Sequence, residues 1–276
     1  MIKRKLHPSL IFAALFILFW LIFSIFFGIN EAGKVAEDFT GIKKTGVLRI
    51  CGEEDLFSYY SDDAGMHGFH YELVQAFAKK HGLKVIYKSK NNLEDRIKSL
   101  QDDECDLLIG PLPVTADLRK VLYFTEKLYE SRFVLIQRKN TTIIPHKIVR
   151  NLIYFGGKDI YTTQNRAIES RLHHLSAEIS DTIRIRNWHN ADSERIISLV
   201  ASGLIDYGAC DWYVAQSYLK RYPSIDCETT IGFNHFEAWG VKPGKTELLD
   251  SLNAFINTYT QGVEYEQLLN NYNIIR

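Results

Sequence analysis

Apolar and polar positions follow three different patterns along the chain. Residues 10–29 are apolar except for Ser24 and Gly28, and Lys3, Arg4 and Lys5 stand just before them. A helix rises about 1.5 Å per residue, so this run reaches about 30 Å, the thickness of a bilayer's hydrocarbon core. Cleavable signal peptides have shorter apolar centres. The following Asn30-Glu31-Ala32-Gly33 lacks the small-x-small cleavage pattern, and no cysteine stands close behind the run to accept a lipid. The expectation is an uncleaved anchor over residues 1–30. Its basic tail stays in the cytoplasm and everything after Asn30 is exported, as the positive-inside rule requires.

A polar stretch, 31–44, reads as a linker. Beyond it, short apolar runs alternate with segments of helical period, the signature of βαβ units and parallel sheets. The pattern predicts strands at Val47–Cys51, Leu83–Tyr87 and Leu107–Gly110. Helices are predicted at Tyr71–His81, stopped by Gly82, and at Leu93–Leu100, capped by Asn91 or Asn92. Thr115 reads as the cap of a short helix. Arg132–Gln137 reads as a strand leaving this unit, with the crossing at Arg138–Thr142.

A second series has strands at Asp159–Tyr161, Thr182–Arg186 and Tyr207–Cys210. Its helices are Arg166–Leu175, Ser193–Ser202 and Trp212–Tyr222. The chain returns through Phe233–Glu237 to a strand at Ala238–Val241 and helices at Thr246–Thr260 and Glu264–Asn271. The predicted architecture is α/β with two lobes, each a mainly parallel sheet flanked by helices. Residues 45–138 and 235–276 form lobe 1, and 139–234 form lobe 2.

Composition narrows the function. Without the three N-terminal cations, 30 basic residues face 33 acidic ones, a balance of about −3 that argues against a nucleic-acid or anionic-surface binder. The four cysteines (Cys51, Cys105, Cys210, Cys227) have neither metal-type spacing nor the density of a disulfide scaffold. Cys51 and Cys105 are expected at opposite ends of parallel strands, too far apart to bridge, so the cysteines read as buried free thiols with Cys210 and Cys227 the one pairing left open. His67 with His70, and His173 with His174, fit no ligand constellation, so neither a metal nor another cofactor is expected.

Several motifs, in order, resemble the extracellular solute-binding proteins of the polar amino-acid type. They are Gly46-Val-Leu-Arg-Ile50, Gly68-Phe-His-Tyr-Glu-Leu73, Cys105-Asp-Leu-Leu-Ile-Gly110, Val114-Thr115, Tyr123-Phe-Thr-Glu-Lys-Leu-Tyr129, Gly203-Leu-Ile-Asp-Tyr207, Asp211 and Ala238-Trp-Gly-Val-Lys242. Within that family, Tyr71-Glu-Leu73, Ile205-Asp-Tyr207 and Ala238-Trp-Gly-Val before Glu247-Leu-Leu-Asp-Ser-Leu-Asn-Ala-Phe255 are most similar to the regulatory domains of F-type membrane-bound lytic transglycosylases. The resemblance implies a type II periplasmic-binding fold. With the sequence ending at Arg276, it implies sensing or binding without glycan cleavage.

A zwitterionic solute needs a cation for its carboxylate and an acceptor for its ammonium. Asp211, just past a lobe 2 strand, falls where the family contacts the amine, and it also reads as the cap of the helix that begins at Trp212. The family's carboxylate-binding Arg falls on Leu118, so Arg119, one position on, becomes the candidate. Thr115 and the free N–H groups of its helix start would also favour an anion. Phe57, Tyr59 and Tyr60 follow the first strand as an aromatic loop and read as a cleft wall or as packing beneath the loop. Gly110 and Leu112 at the end of a strand, and Gln164 and Asn165 before the second-lobe helix, complete the candidate set. Trp188 and His189, in a loop at the end of a strand, read as loop packing or as rim residues.

The expected partners are a small ligand (amino acid, peptide or muropeptide), the inner membrane through the N-terminal helix, and a transporter or envelope enzyme. Two other function classes stand beside the receptor. One is a scaffold for cell-wall enzymes with a degenerate cleft, which Leu118 keeps open. The other is dehydratase-like chemistry using Glu53, Glu54 or Asp55.

Overall fold

The computed structural model of the chain describes residues 38–140, 147–188 and 191–274. The apolar run 10–29 with its basic tail, and His189, lie outside them. Among the described residues no helix is long and apolar enough to cross a membrane.

The expected linker ends in a helix, α1 (Phe39–Thr45). Asp38 caps it by accepting from Phe39 N at 2.8 Å, and Gly46 closes it in the left-handed conformation at φ 69°. Phe39 and Ile42, three residues apart, are both buried, and the Phe39 ring lies 5.8 Å from that of Phe77. Two apolar residues at helical spacing give one buried face to a stretch whose polarity reads as linker.

The first lobe continues through β1 (Val47–Gly52), the hairpin β2 (Tyr60–Asp62) and β3 (Gly65–His67), α2 (Phe69–His81), β4 (Lys84–Ser89) and α3 (Leu93–Gln101). Then come β5 (Leu107–Leu108), a 3₁₀ turn at Leu118–Lys120, β6 (Tyr123–Phe124) and β7 (Tyr129–Ser131). The second lobe holds β8 (Phe133–Arg138), β9 (Asp159–Thr162), α4 (Arg166–Glu178), β10 (Arg184–Asn187), α5 (Ser193–Ser202), β11 (Tyr207–Asp211), α6 (Trp212–Ser217) and β12 (Ile225–Thr230). The chain returns along β13 (His235–Glu237) to β14 (Gly240–Val241), α7 (Thr246–Tyr259) and α8 (Val263–Asn271).

Two five-stranded sheets result, ordered β4-β1-β5-β14-β6 and β10-β9-β11-β8-β12. The pairings β1 with β4, β1 with β5, and β9 with β10 and β11 are parallel. β8 runs antiparallel to β11 and β12, and β14 runs antiparallel to β5 and β6. The two crossings lie side by side as an antiparallel pair, with Tyr129 opposite Glu237 and Ser131 opposite His235.

This moves the expected crossing point. Phe133–Arg138 belongs to the second sheet, so the chain leaves lobe 1 before Phe133 rather than after Arg138. Arg138 reads as the start of a polar connector, but it is buried and donates to the carbonyls of Val200 and Ile205, at 3.1 and 2.7 Å. The helix expected to reach Tyr222 stops at Ser217.

All four cysteines are buried free thiols. Cys51 and Cys105 are neighbours, not at opposite ends of the sheet as expected: their buried thiols lie within hydrogen-bonding reach of each other. Cys210 and Cys227 are on β11 and β12 with β8 between them. Two strand spacings separate them by about 10 Å, beyond the ~7 Å that a disulfide's Cα atoms can span.

Phe57 joins the lobes at the cleft's back. It is 1% exposed and stacks on Phe69 of lobe 1 at 5.6 Å and on Tyr213 of lobe 2 at 5.3 Å. Phe57→Ala is expected to cost about 3–5 kcal/mol, read as a lower urea midpoint at unchanged slope.

Candidate functional site

Between the sheets lies a closed cleft with about 20 Å³ of free volume, lined from lobe 1 by Glu53, Arg96 and Pro111 and from lobe 2 by Thr163, Asn165, Ser193 and Asp211. About one water fits such a space, so a solute enters only if the lobes part. Direct contacts hold them. Glu53 Oε1 accepts from Ser193 N at 2.7 Å, Gln164 O accepts from Leu93 N at 3.2 Å, and the Tyr218 hydroxyl oxygen accepts from Leu56 N at 3.3 Å. Arg166 pairs with Glu94 through two hydrogen bonds.

Asp211 ends β11 and caps α6. Its Oδ1 accepts from Tyr213 N at 2.9 Å and its Oδ2 from Ser131 Oγ at 2.5 Å. The sequence signals for strand end and helix cap coincide on this residue, which puts its carboxylate in the cleft wall at 4% exposure. Burial, then the nearby Glu237, pushes its pKa up to about 7. Burial also raises Asp55 to about 7 and lifts Glu53 above the ordinary carboxylate range. Asp55 nevertheless turns the first loop inward, because its Oδ1 accepts from Phe57 N and Ser58 N, both at 2.7 Å.

The remaining candidates part company. Asn165 lines the cleft and caps α4 by accepting from Ala167 N at 3.0 Å. Gln164 meets lobe 1 through its backbone carbonyl. Gly110 lies beside Arg96 at φ +114°, and a Cβ there would stand 3.4 Å from Arg96 Nη1. Leu112 is a core residue. Thr115 Oγ1 accepts from Leu118 N at 3.2 Å, so Thr115 caps its turn as expected. Leu118 is fully buried, whereas Arg119 is exposed with its guanidinium 6.0 Å from the Phe124 ring centre. Tyr59 stacks on Tyr87 at 3.7 Å and Tyr60 lies 5.4 Å from His67 on the hairpin. Trp188 is 5.8 Å from Tyr161.

The cleft's cation is one that sequence reasoning passed over. Arg96, on α3, is 4% exposed. Its Nε has no hydrogen-bond partner, and the Glu53 carboxylate is 3.7 Å from its Nη2. Leu93, Ile97 and Leu100 define the buried stripe of α3, and Arg96 stands one position before Ile97, on the edge of that stripe. That placement was the available signal.

At the crossing strands, Asp211, His235 and Glu237 offer possible metal-ligating atoms within 4.8 Å of one another. His235 Nε2 is 2.8 Å from Glu237 Oε1, so the cluster already spends part of its bonding capacity internally.

Two sheets joined by paired crossing strands around a cleft define the class of two-lobed, type II periplasmic binding folds. The family model for bacterial extracellular solute-binding proteins, family 3, matches residues 48–274, and the chain belongs to that family. Similar relatives are membrane-bound lytic murein transglycosylase F of Desulfosudis oleivorans, 25% identical over 84% of this chain and 49% of the relative, and that of Pseudomonas putida, 23% identical over 84% and 47%. The chain thus spans about half the length of these curated relatives. An ancestral arginine-binding protein bound to arginine superposes with a TM-score of 0.71 at 21% identity, covering 82% of this chain and 98% of that one. An ancestral amino acid-binding protein, a precursor of cyclohexadienyl dehydratase, gives 0.69 at 20% identity, covering 84% and 98%. These likenesses establish the fold.

A folded-state pKa above the unfolded value means that the folded chain holds a proton the unfolded chain has released. The stability tied to Asp211 is therefore fully present below about pH 4 and is lost as the pH rises toward about 7. Asp211→Asn should remove this component, so that the variant gains on the parent by up to roughly 1.4 kcal/mol per pH unit across that window. Urea titrations of both chains from pH 4 to 7.5 measure the difference.

Proposed function

We propose that this chain is a membrane-anchored, extracytoplasmic receptor that captures a small amino-acid-like or cell-wall-derived solute between its lobes. One observation carries the reading: a buried guanidinium from lobe 1, Arg96, and a buried carboxylate from lobe 2, Asp211, line the same cleft. A zwitterion requires both kinds of group, and charge-assisted hydrogen bonds to them are strong when water is excluded. A solute that touches both lobes only when they are shut stabilises closure, so binding becomes a conformational signal for a transporter or envelope enzyme.

Family membership and the amino-acid-binding proteins of the same fold support an amino-acid-like ligand. The transglycosylase name of the relatives supports a cell-wall setting. The basic tail and the apolar run 10–29 support an anchor in the inner membrane with the C-terminal part in the periplasm. A second reading, a scaffold whose cleft no longer takes solute, draws on the 20 Å³ volume and on Leu118, buried where the resemblance implies an Arg.

The test is a thermal-shift screen of the full chain in detergent against amino acids, short peptides and muropeptides, with Asp211→Ala alongside. A ligand at a hundred times its dissociation constant adds about 2.7 kcal/mol of stability and raises the melting point of the parent but not the variant. If no compound shifts the parent, the scaffold reading takes over. A C-terminal alkaline phosphatase fusion checks the topology: activity in intact cells, in the membrane fraction, is the expected result, and an inactive fusion would contradict export.

A further inference from the structure

We propose that Arg96 is the anchor for a carboxylate of the solute, and that the Glu53 side chain competes with that carboxylate for the same donors. This rests on the receptor reading of the cleft. A guanidinium is always charged and carries five N–H donors, and taking it out of water costs several kcal/mol unless those donors are used. Arg96 is 4% exposed, its Nε meets no acceptor, and the carboxylate facing it stands at 3.7 Å, beyond hydrogen-bond length. The group therefore has bonding capacity that the fold leaves unspent.

The surroundings define what would spend it. Gly110, at a φ of +114° that L side chains rarely adopt, stands beside the guanidinium, its Cβ position 3.4 Å from Nη1. Across the cleft stands the N-terminus of α5, a ten-residue helix, whose Ser193 N–H is given to Glu53 Oε1 at 2.7 Å. One carboxylate of the chain's own thus lies between a guanidinium and a helix N-terminus, where both favour an anion. A planar carboxylate matches the fork of a guanidinium and can accept from it through two parallel hydrogen bonds. The positions from which the cation was expected are spent elsewhere, since Leu118 is core and Arg119 points outward.

Calorimetry on the full chain in detergent tests the assignment, using L-arginine, L-glutamine, L-glutamate and a muramyl tripeptide, each beside the amide that lacks the free α-carboxylate. In the parent, the acid should bind about 100-fold more tightly than its amide, and Arg96→Gln should lose about 100-fold for the acid and no longer distinguish the two. Arg96→Lys should recover part of the loss. Glu53→Gln should bind the acid about tenfold more tightly than the parent. If Arg96→Gln keeps the acid-to-amide ratio, or binds the acid like the parent, the anchor assignment is overturned while the receptor reading stands. If neither parent nor Glu53→Gln binds any acid or amide, both fall. Melting curves of each variant confirm that the folded chain is being titrated.

Discussion

Both passages between the sheets run through one short antiparallel pair, Tyr129–Ser131 against His235–Glu237, and the rest of the molecule is arranged around it. Because the chain crosses twice at the same place, the cleft becomes the face the lobes share, and the buried apolar clusters run from one lobe into the other. A buried relay braces the pair. Trp239 Nε1 donates to His70 Nδ1 at 3.0 Å, which places the proton of the neutral ring on Nε2, and that nitrogen donates to the Tyr129 hydroxyl at 2.8 Å. Burial lowers the His70 pKa to about 3, so the ring stays neutral and the relay keeps its direction. Ser131 then reaches from the crossing to Asp211, which makes that residue helix cap, hinge contact and cleft wall together.

The closed cleft combines well-packed aromatics with poorly compensated polar groups. Phe57 stacked between Phe69 and Tyr213 favours closure. Desolvation of Glu53, Asp55 and Asp211 opposes it, and so does the unspent guanidinium of Arg96. A solute carrying both a carboxylate and an ammonium would relieve the second set without disturbing the first. This sets the physical terms on which a receptor of this fold can be both selective and reversible.

Much of the architecture was legible because its signals are local. The strand at Val47, the caps Asn92 and Asp211, and the stop Gly82 each follow from residue type and spacing. What escaped depends on contacts distant in sequence. Helix α1 exists because Asp38 also accepts from Leu248 N at 3.0 Å and Phe39 packs against α2. Arg138 reads as an exit because nothing nearby reveals the carbonyls of Val200 and Ile205 that it meets. In the cleft, Asp211 could be placed from strand-end logic, whereas for Arg96 the sequence offers only its place on the edge of the apolar stripe, and its role emerges once Gly110 and Glu53 are brought beside it.

The central claim is that the lobes open to admit a solute and close on it. Spin labels at Tyr123→Cys in lobe 1 and Leu204→Cys in lobe 2, both exposed positions, report the distance between lobes, and the four native cysteines are buried away from the reagent. Two populations are expected without solute, one at the distance of this closed structure and one longer. Addition of a solute that raises the melting point should collapse them into the shorter. A single distribution at the closed distance, unchanged across amino acids, peptides and muropeptides, would contradict the account and leave the cleft a fixed interface between two lobes.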